Sequence, residues 1–167
     1  MRKNKKRNHQ KHPVPNHKYK DRLFRLVFNN KRDLLDLYNA LNNTCYENPN
    51  DLEVNTLEDA VYLSMKNDIS FLIGGTLNLY EHQSTYNPNM PLRGLIYLAR
   101  LYDGYVETKN INLYSSSLKK LPIPQYFVFY NGTKEQPDET ILQLTDAFES
   151  VSDNRQPCLQ CTAVTVS

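Results

Sequence analysis

The sequence predicts an α/β fold, with a mixed central sheet flanked by helices in the order α, β, β, β, α, β. Two β-branched and aromatic runs meet at Gly74-Gly75, an amphipathic helix precedes them, and a second helix leads into the apolar run Ile123 to Tyr130. A length of 167 residues with 40% hydrophobic content supports one globular domain and leaves no room for two.

The elements follow in chain order. Lys18 to Phe28 reads as a short helix, and Lys31 to Asn42 as an amphipathic one, with Leu34, Leu37, Tyr38 and Leu41 on one stripe. Polar residues and Pro49 break the pattern between Asn42 and Asn50. Leu52 to Leu57 alternates as a strand should, whereas Glu58 to Lys66 reads equally as a bend or as more of the same strand. After the hairpin, Ser84 to Pro88 is a loop, and Asn89 with Pro91 opens a helix running to about Val106. Ile123 to Tyr130 is a strand closed by Asn131-Gly132, and Ile141 to Leu144 is a candidate further strand. Residues 149–167 are polar and without period, and read as an irregular tail.

The hairpin carries the functional signal. Only glycine takes positive φ at both central positions of a primed two-residue turn without cost. With Ile73 and Thr76 flanking the turn, Leu72 faces Leu77, Ser70 faces Leu79, and Asp68 faces Glu81. Side chains alternate, so Asp68, Ser70, Leu72, Leu77, Leu79, Glu81 and Gln83 share one face. Like charges opposite each other destabilise a sheet. A divalent cation reverses that sign, because hard Mg²⁺ takes oxygen ligands from one or two carboxylates.

At these residues the chain resembles the PD-(D/E)XK nuclease superfamily, in its bacterial Rpn branch of recombination-promoting nucleases and putative transposases. The phrases that carry the resemblance are Lys20-Asp21-Arg22-Leu23-Phe24, Met65 to Phe71, Asn78-Leu79-Tyr80-Glu81-His82-Gln83-Ser84-Thr85, Asn89-Met90-Pro91-Leu92-Arg93, and Phe127 to Gly132. It spans about Tyr19 to Phe148, so residues 19–148 are expected to form a restriction-endonuclease-like core (αβββαβ). It implies a Mg²⁺ (or Mn²⁺) dependent DNA endonuclease linked to recombination or mobile elements. Asp68 and Glu81 would be the metal ligands, and Asp68, Glu81 and Gln83 the catalytic set; Glu58, ten positions before Asp68, reads either as a third carboxylate for the metal or as a lone surface charge. The alternative is a catalytically inactive DNA-binding or interaction remnant of the same family. The triplet Glu81-His82-Gln83 departs from the superfamily pattern, having Gln where Lys is expected. Lysine would set a cation beside the attacking water, whereas Gln83 can only orient that water through its amide. Chains of this branch usually continue into another strand and more helix beyond a segment like Leu144 to Phe148, so a truncated copy is one reading of this C terminus.

Charge is uneven. Eight of the 20 Lys and Arg residues fall in the first 20 positions with no acid, leaving 12 basic against 18 acidic residues and a formal charge of −6 for the remainder. Residues 1–18 are expected to be a disordered basic arm whose Lys3, Lys5, Lys6 and Arg7 either attract DNA by counterion release or are simply solvated. Arg93, Tyr97 and Arg100 make one helical stripe, suited to a phosphate backbone or, equally, to a solvated face. His82 falls on the strand face opposite Glu81 and Gln83 and reads as a structural histidine. Cys158 and Cys161 make half of a zinc site at most, and three cysteines in all suggest a reducing, cytoplasmic compartment. No apolar run approaches 18 residues, so no membrane partner is expected. A homo-oligomer is compatible with the sequence and not derivable from it.

Overall fold

A computed structural model of the chain describes residues 30–55, 69–149 and 156–167. Helix α1 (Lys31–Asn42) starts where the Asn30 side chain accepts from the Arg32 amide, and stops where Asn43 turns into the left-handed region at φ 52°. A 3₁₀ turn at Pro49–Asp51 leads into the short edge strand β1 (Glu53–Asn55). Strands β2 (Ile69–Ile73) and β3 (Thr76–Gln83) form the hairpin, with Gly74 at φ 56° and Gly75 at φ 83°. Both glycines are therefore required, and a side chain on Gly74 would also run into the Tyr46 hydroxyl.

The register is the expected one: Leu72 pairs with Leu77, Ser70 with Leu79, and Ile69 with Tyr80, where the described pairing ends. Helix α2 (Met90–Thr108), with Pro91 in its first turn, then crosses to β4 (Ile123–Tyr130), which pairs parallel with β3 along its whole length. Strand β5 (Glu139–Gln143) is followed by a 3₁₀ turn at Leu144–Ala147 and, later, by β6 (Thr162–Val166). The order across the sheet is β1-β2-β3-β4-β6-β5.

A six-stranded mixed sheet with a helix packed on each face results. One core lies between the sheet and α2, built from Leu77, Leu79, Tyr97, Leu98, Leu101 and Val128 among others. The other lies between the sheet and α1, where Leu34, Leu35, Tyr38, Phe71, Ile73 and Tyr80 are buried together. Their separation follows from the period of two along β3, whose odd residues face α2 and even ones α1.

Three expectations need correction. The tail is not irregular throughout, because Thr162–Val166 inserts between β4 and β5 with Ala163 and Thr165 buried. The strand expected at Ile141 to Leu144 begins two residues earlier, at Glu139, and Leu144 already opens the 3₁₀ turn. Helix α2 also outlasts its expected end and runs to Thr108. The segments Lys18 to Phe28 and Glu58 to Lys66, read as a helix and as an ambiguous piece, lie outside the described residues. Among the described residues no helix is long and apolar enough to cross a membrane.

Candidate active site

On the α2 face of β3 the leucine row ends in two polar residues. Leu77 and Leu79 are followed at the same spacing by Glu81, which is 3% exposed, and Gln83, which is 8% exposed. A buried carboxylate needs partners, since an isolated charge out of water costs far more than a surface one. Glu81 has one on each oxygen. Its Oε1 lies 2.5 Å from Nη2 of Arg93, and its Oε2 accepts from the Tyr126 hydroxyl at 2.6 Å.

Each partner is placed by its element. Tyr126 sits on β4 opposite Leu79, one diagonal step from Glu81, whose own partner in the parallel ladder is Val128. Long side chains reach across such diagonals. Arg93 stands on the first turn of α2, and its Nη2 also donates to the Tyr97 hydroxyl at 3.1 Å, one helical turn on. Its guanidinium carbon lies 5.7 Å from the centre of the Tyr97 ring. Gly94 makes the approach of the helix possible, because a Cβ there would overlap the Tyr126 ring.

Burial pushes the Glu81 carboxyl above the ordinary carboxylate range, although the Tyr126 hydroxyl and the Arg93 guanidinium both pull it down. Desolvation wins because the carboxylate has almost no access to water, whereas the Arg93 side chain keeps 41% of its exposure. Gln83 is different. Neither its amide oxygen nor its amide nitrogen has a hydrogen-bond partner, and both are buried. An amide left so costs about 1–3 kcal/mol, which makes it a group waiting for something polar.

Of the residues the sequence nominates, the structure brings Glu81, Arg93 and Tyr97 together and sets Gln83 two residues further along the same strand face. Tyr97 is 8% exposed and belongs to the core, so the stripe it shares with Arg93 and Arg100 is not a solvated helix face, and Arg93 turns toward the sheet. His82 is buried on the opposite face, as expected of a structural histidine. Cys161 packs in the core beside Ala163, while Cys158 is exposed. Asp68 and Glu58 lie outside the described residues, as do Lys3, Lys5, Lys6 and Arg7. Among the described residues no three His, Cys, Asp or Glu side chains converge.

Two members of the site escaped the sequence reading. Tyr126 could have been found only by pairing β3 with β4 in register, which a crossover helix leaves open. Thr165 is the second. The ladder runs Glu81, Val128, Thr165 across three strands, and the Thr165 hydroxyl is buried without a partner. Its signal was present in Thr162-Ala163-Val164-Thr165-Val166, a short alternating run rich in β-branched residues.

Fold and site together define the chain as an α/β protein with a mixed sheet, a buried carboxylate on its central strand paired with a half-exposed guanidinium from helix α2, and unpartnered polar groups beside it. Comparison with family models, with curated proteins and with solved structures finds no match.

Proposed function

We propose that the chain is a divalent-metal-dependent DNA endonuclease of the PD-(D/E)XK type, Rpn branch, acting on phosphodiester bonds in recombination or element mobility. The observation that carries this reading is a buried carboxylate followed, on the same strand face, by a buried amide with no partner. Asp68, which the sequence pairs with Glu81 across the Gly74-Gly75 turn, would supply the second carboxylate. The donor chemistry fits a hard cation, since Glu81 and Asp68 are both carboxylate oxygen donors. Glu81 and Asp68 would hold Mg²⁺ or Mn²⁺, with Glu58 a candidate third ligand. The ion would polarise the phosphoryl oxygen and acidify a water.

The chain's own residues would do the rest. The amide of Gln83 orients the attacking water by accepting its hydrogen, without the positive charge a lysine would bring. The Tyr126 hydroxyl holds one Glu81 oxygen and fixes the carboxylate plane. Arg93, with Arg100 and the basic arm, supplies the attraction for the phosphate backbone.

Nicking of supercoiled plasmid in Mg²⁺, Mn²⁺ and EDTA tests the reading. The intact chain should nick only with metal, and Glu81→Ala should lower the rate by at least about a hundredfold, the scale of losing a positioned catalytic group. Metal-independent or unchanged nicking defeats it. A second reading, an inactive DNA-binding remnant, is favoured by one observation: both oxygens of Glu81 are already engaged by side chains of the protein. That reading expects salt-dependent DNA binding and no nicking under any metal.

A further inference from the structure

Arg93 and a divalent cation would compete for one oxygen. Nη2 of Arg93 stands 2.5 Å from Oε1 of Glu81, while the remaining oxygen is held by the Tyr126 hydroxyl at 2.6 Å. Two cations cannot share that carboxylate oxygen without strong repulsion in a poorly solvated site. The side-chain exposures are unequal, 41% for Arg93 and 3% for Glu81, so the guanidinium is the member of the pair that solvent and a ligand can reach. It is also incompletely used. Of its five N–H donors, the neighbours it meets are Glu81, Tyr97 and, at 3.9 Å, the Met90 sulfur. A guanidinium with spare donors beside a candidate cleavage site matches one ligand best, an anion with paired oxygens such as a phosphodiester.

We propose that Arg93 is a displaceable counter-ion of Glu81, which a DNA phosphodiester draws away so that the carboxylate becomes free for a divalent cation. The inference rests on the nuclease reading and adds an order to it. DNA and metal then bind with positive coupling, because each removes what obstructs the other. The Tyr126 hydroxyl stays on Oε2 throughout and keeps the carboxylate from following the guanidinium. Arg93 acts here as a positioning residue, and its exchange of partners is what lets an ion pair and a metal site coexist on one carboxylate.

The test measures binding, not turnover. Mn²⁺ is titrated into the full chain without DNA, with free ion followed by electron paramagnetic resonance, for the wild type and for Arg93→Gln and Arg93→Lys. Duplex DNA is titrated in EDTA against the wild type, Glu81→Gln, Arg93→Gln and the double variant. Thermal melts establish that each is folded. Arg93→Gln should bind Mn²⁺ more tightly than wild type by at least about fivefold, the lower end of ordinary coupling between sites, with Arg93→Lys between them. Glu81→Gln should bind DNA more tightly in EDTA by a similar factor, and that gain should vanish when Arg93 is also replaced. If Arg93→Gln does not fold, Arg93→Lys and the Glu81→Gln arm carry the same comparison.

A gain that persists in the double variant means simple relief of charge repulsion and overturns the proposal. Equal Mn²⁺ affinity in wild type and Arg93→Gln also overturns it while leaving the nuclease reading intact. Absence of Mn²⁺ binding in every form overturns both.

Discussion

The two faces of β3 bury polar groups in opposite ways. Toward α2 they are gathered at one end, where Glu81 has a partner on each oxygen and Gln83 has none. Toward α1 they are interleaved with aromatic rings. Asn78 and Tyr80 are fully buried there, and the Asn78 amide oxygen and the Tyr80 hydroxyl both lack partners. A carboxylate cannot be buried alone, so the α2 face recruits a guanidinium and a phenol from two other elements. Neutral groups cost only a few kcal/mol each when unsatisfied, so the α1 face tolerates them within well-packed rings. The first arrangement holds one charged group in a defined geometry. The second is a cost that packing offsets, with Tyr80 making edge contacts at 5.1 Å to Phe71, 5.6 Å to Phe127 and 5.5 Å to Phe129.

The strongest way to break this contrast is to push α2 off the sheet. Gly94→Ala places a methyl group against the Tyr126 ring, and both partners of Glu81 ride on the contact that moves. It should destabilise by about 1–3 kcal/mol, the cost of overpacking a core. The control is on the same helix. A Cβ at Gly104 would meet nothing within 4 Å, so Gly104→Ala should stabilise by about 0.5–1 kcal/mol through helix propensity alone. Urea unfolding of the two variants separates them by sign, and equal effects would mean that helix packing on Tyr126 does not hold the site.

On the α1 face the informative change is Tyr80→Phe. It keeps the ring and its three edge contacts and removes a buried hydroxyl that bonds to nothing. The variant should be more stable by about 1 kcal/mol at neutral pH, since the desolvation cost of the hydroxyl is removed with no bond lost. Burial, with a smaller contribution from Tyr38, also pushes the Tyr80 phenol well above its ordinary value of 10.0. The unfolded chain releases that proton at the ordinary value while the folded one retains it, so above about pH 10 the wild type loses stability as pH rises. Tyr80→Phe should lack that part of the alkaline loss. Parallel alkaline limbs in the two melting series would show that Tyr80 does not titrate as a buried phenol.

The halves of this contrast were unequally legible. Local signals carry far in the hairpin, where Gly74-Gly75 sets register as far as Ile69 opposite Tyr80 and thereby assigns Glu81 and Gln83 to one face. They also carry helix α1 and strand β4, whose bounds match the periodic runs that predict them. What no local pattern contains is the pairing of elements distant in sequence. Arg93 is visible as a helix residue and Tyr126 as a strand residue, but their convergence on Glu81 depends on the parallel register of β3 with β4 and on the close approach at Gly94. β6 was lost differently. Five residues of small and β-branched side chains are too few for periodicity to separate from a polar tail, and only insertion beside β4 gives Ala163 and Thr165 something to pack against.

The smallest expected effect probes that last strand and asks whether its unpartnered hydroxyl belongs with the tolerated groups of the α1 face or with the site. Thr165 lies on the α2 face, 2% exposed, in line with Glu81 through Val128. Thr165→Val preserves shape and removes a hydroxyl that has no partner, so stability should rise by about 0.5 kcal/mol. Plasmid nicking assigns the role. If the hydroxyl is only a tolerated cost, nicking stays at the wild-type rate and the gain in stability is free of consequence. If it orders solvent beside Glu81 and Gln83, nicking falls while stability rises, the trade-off expected where a polar group is kept for function. A loss of stability contradicts both outcomes and would mean that the Thr165 hydroxyl finds a partner in solution, removing it from the unsatisfied groups on which this comparison of the two faces depends.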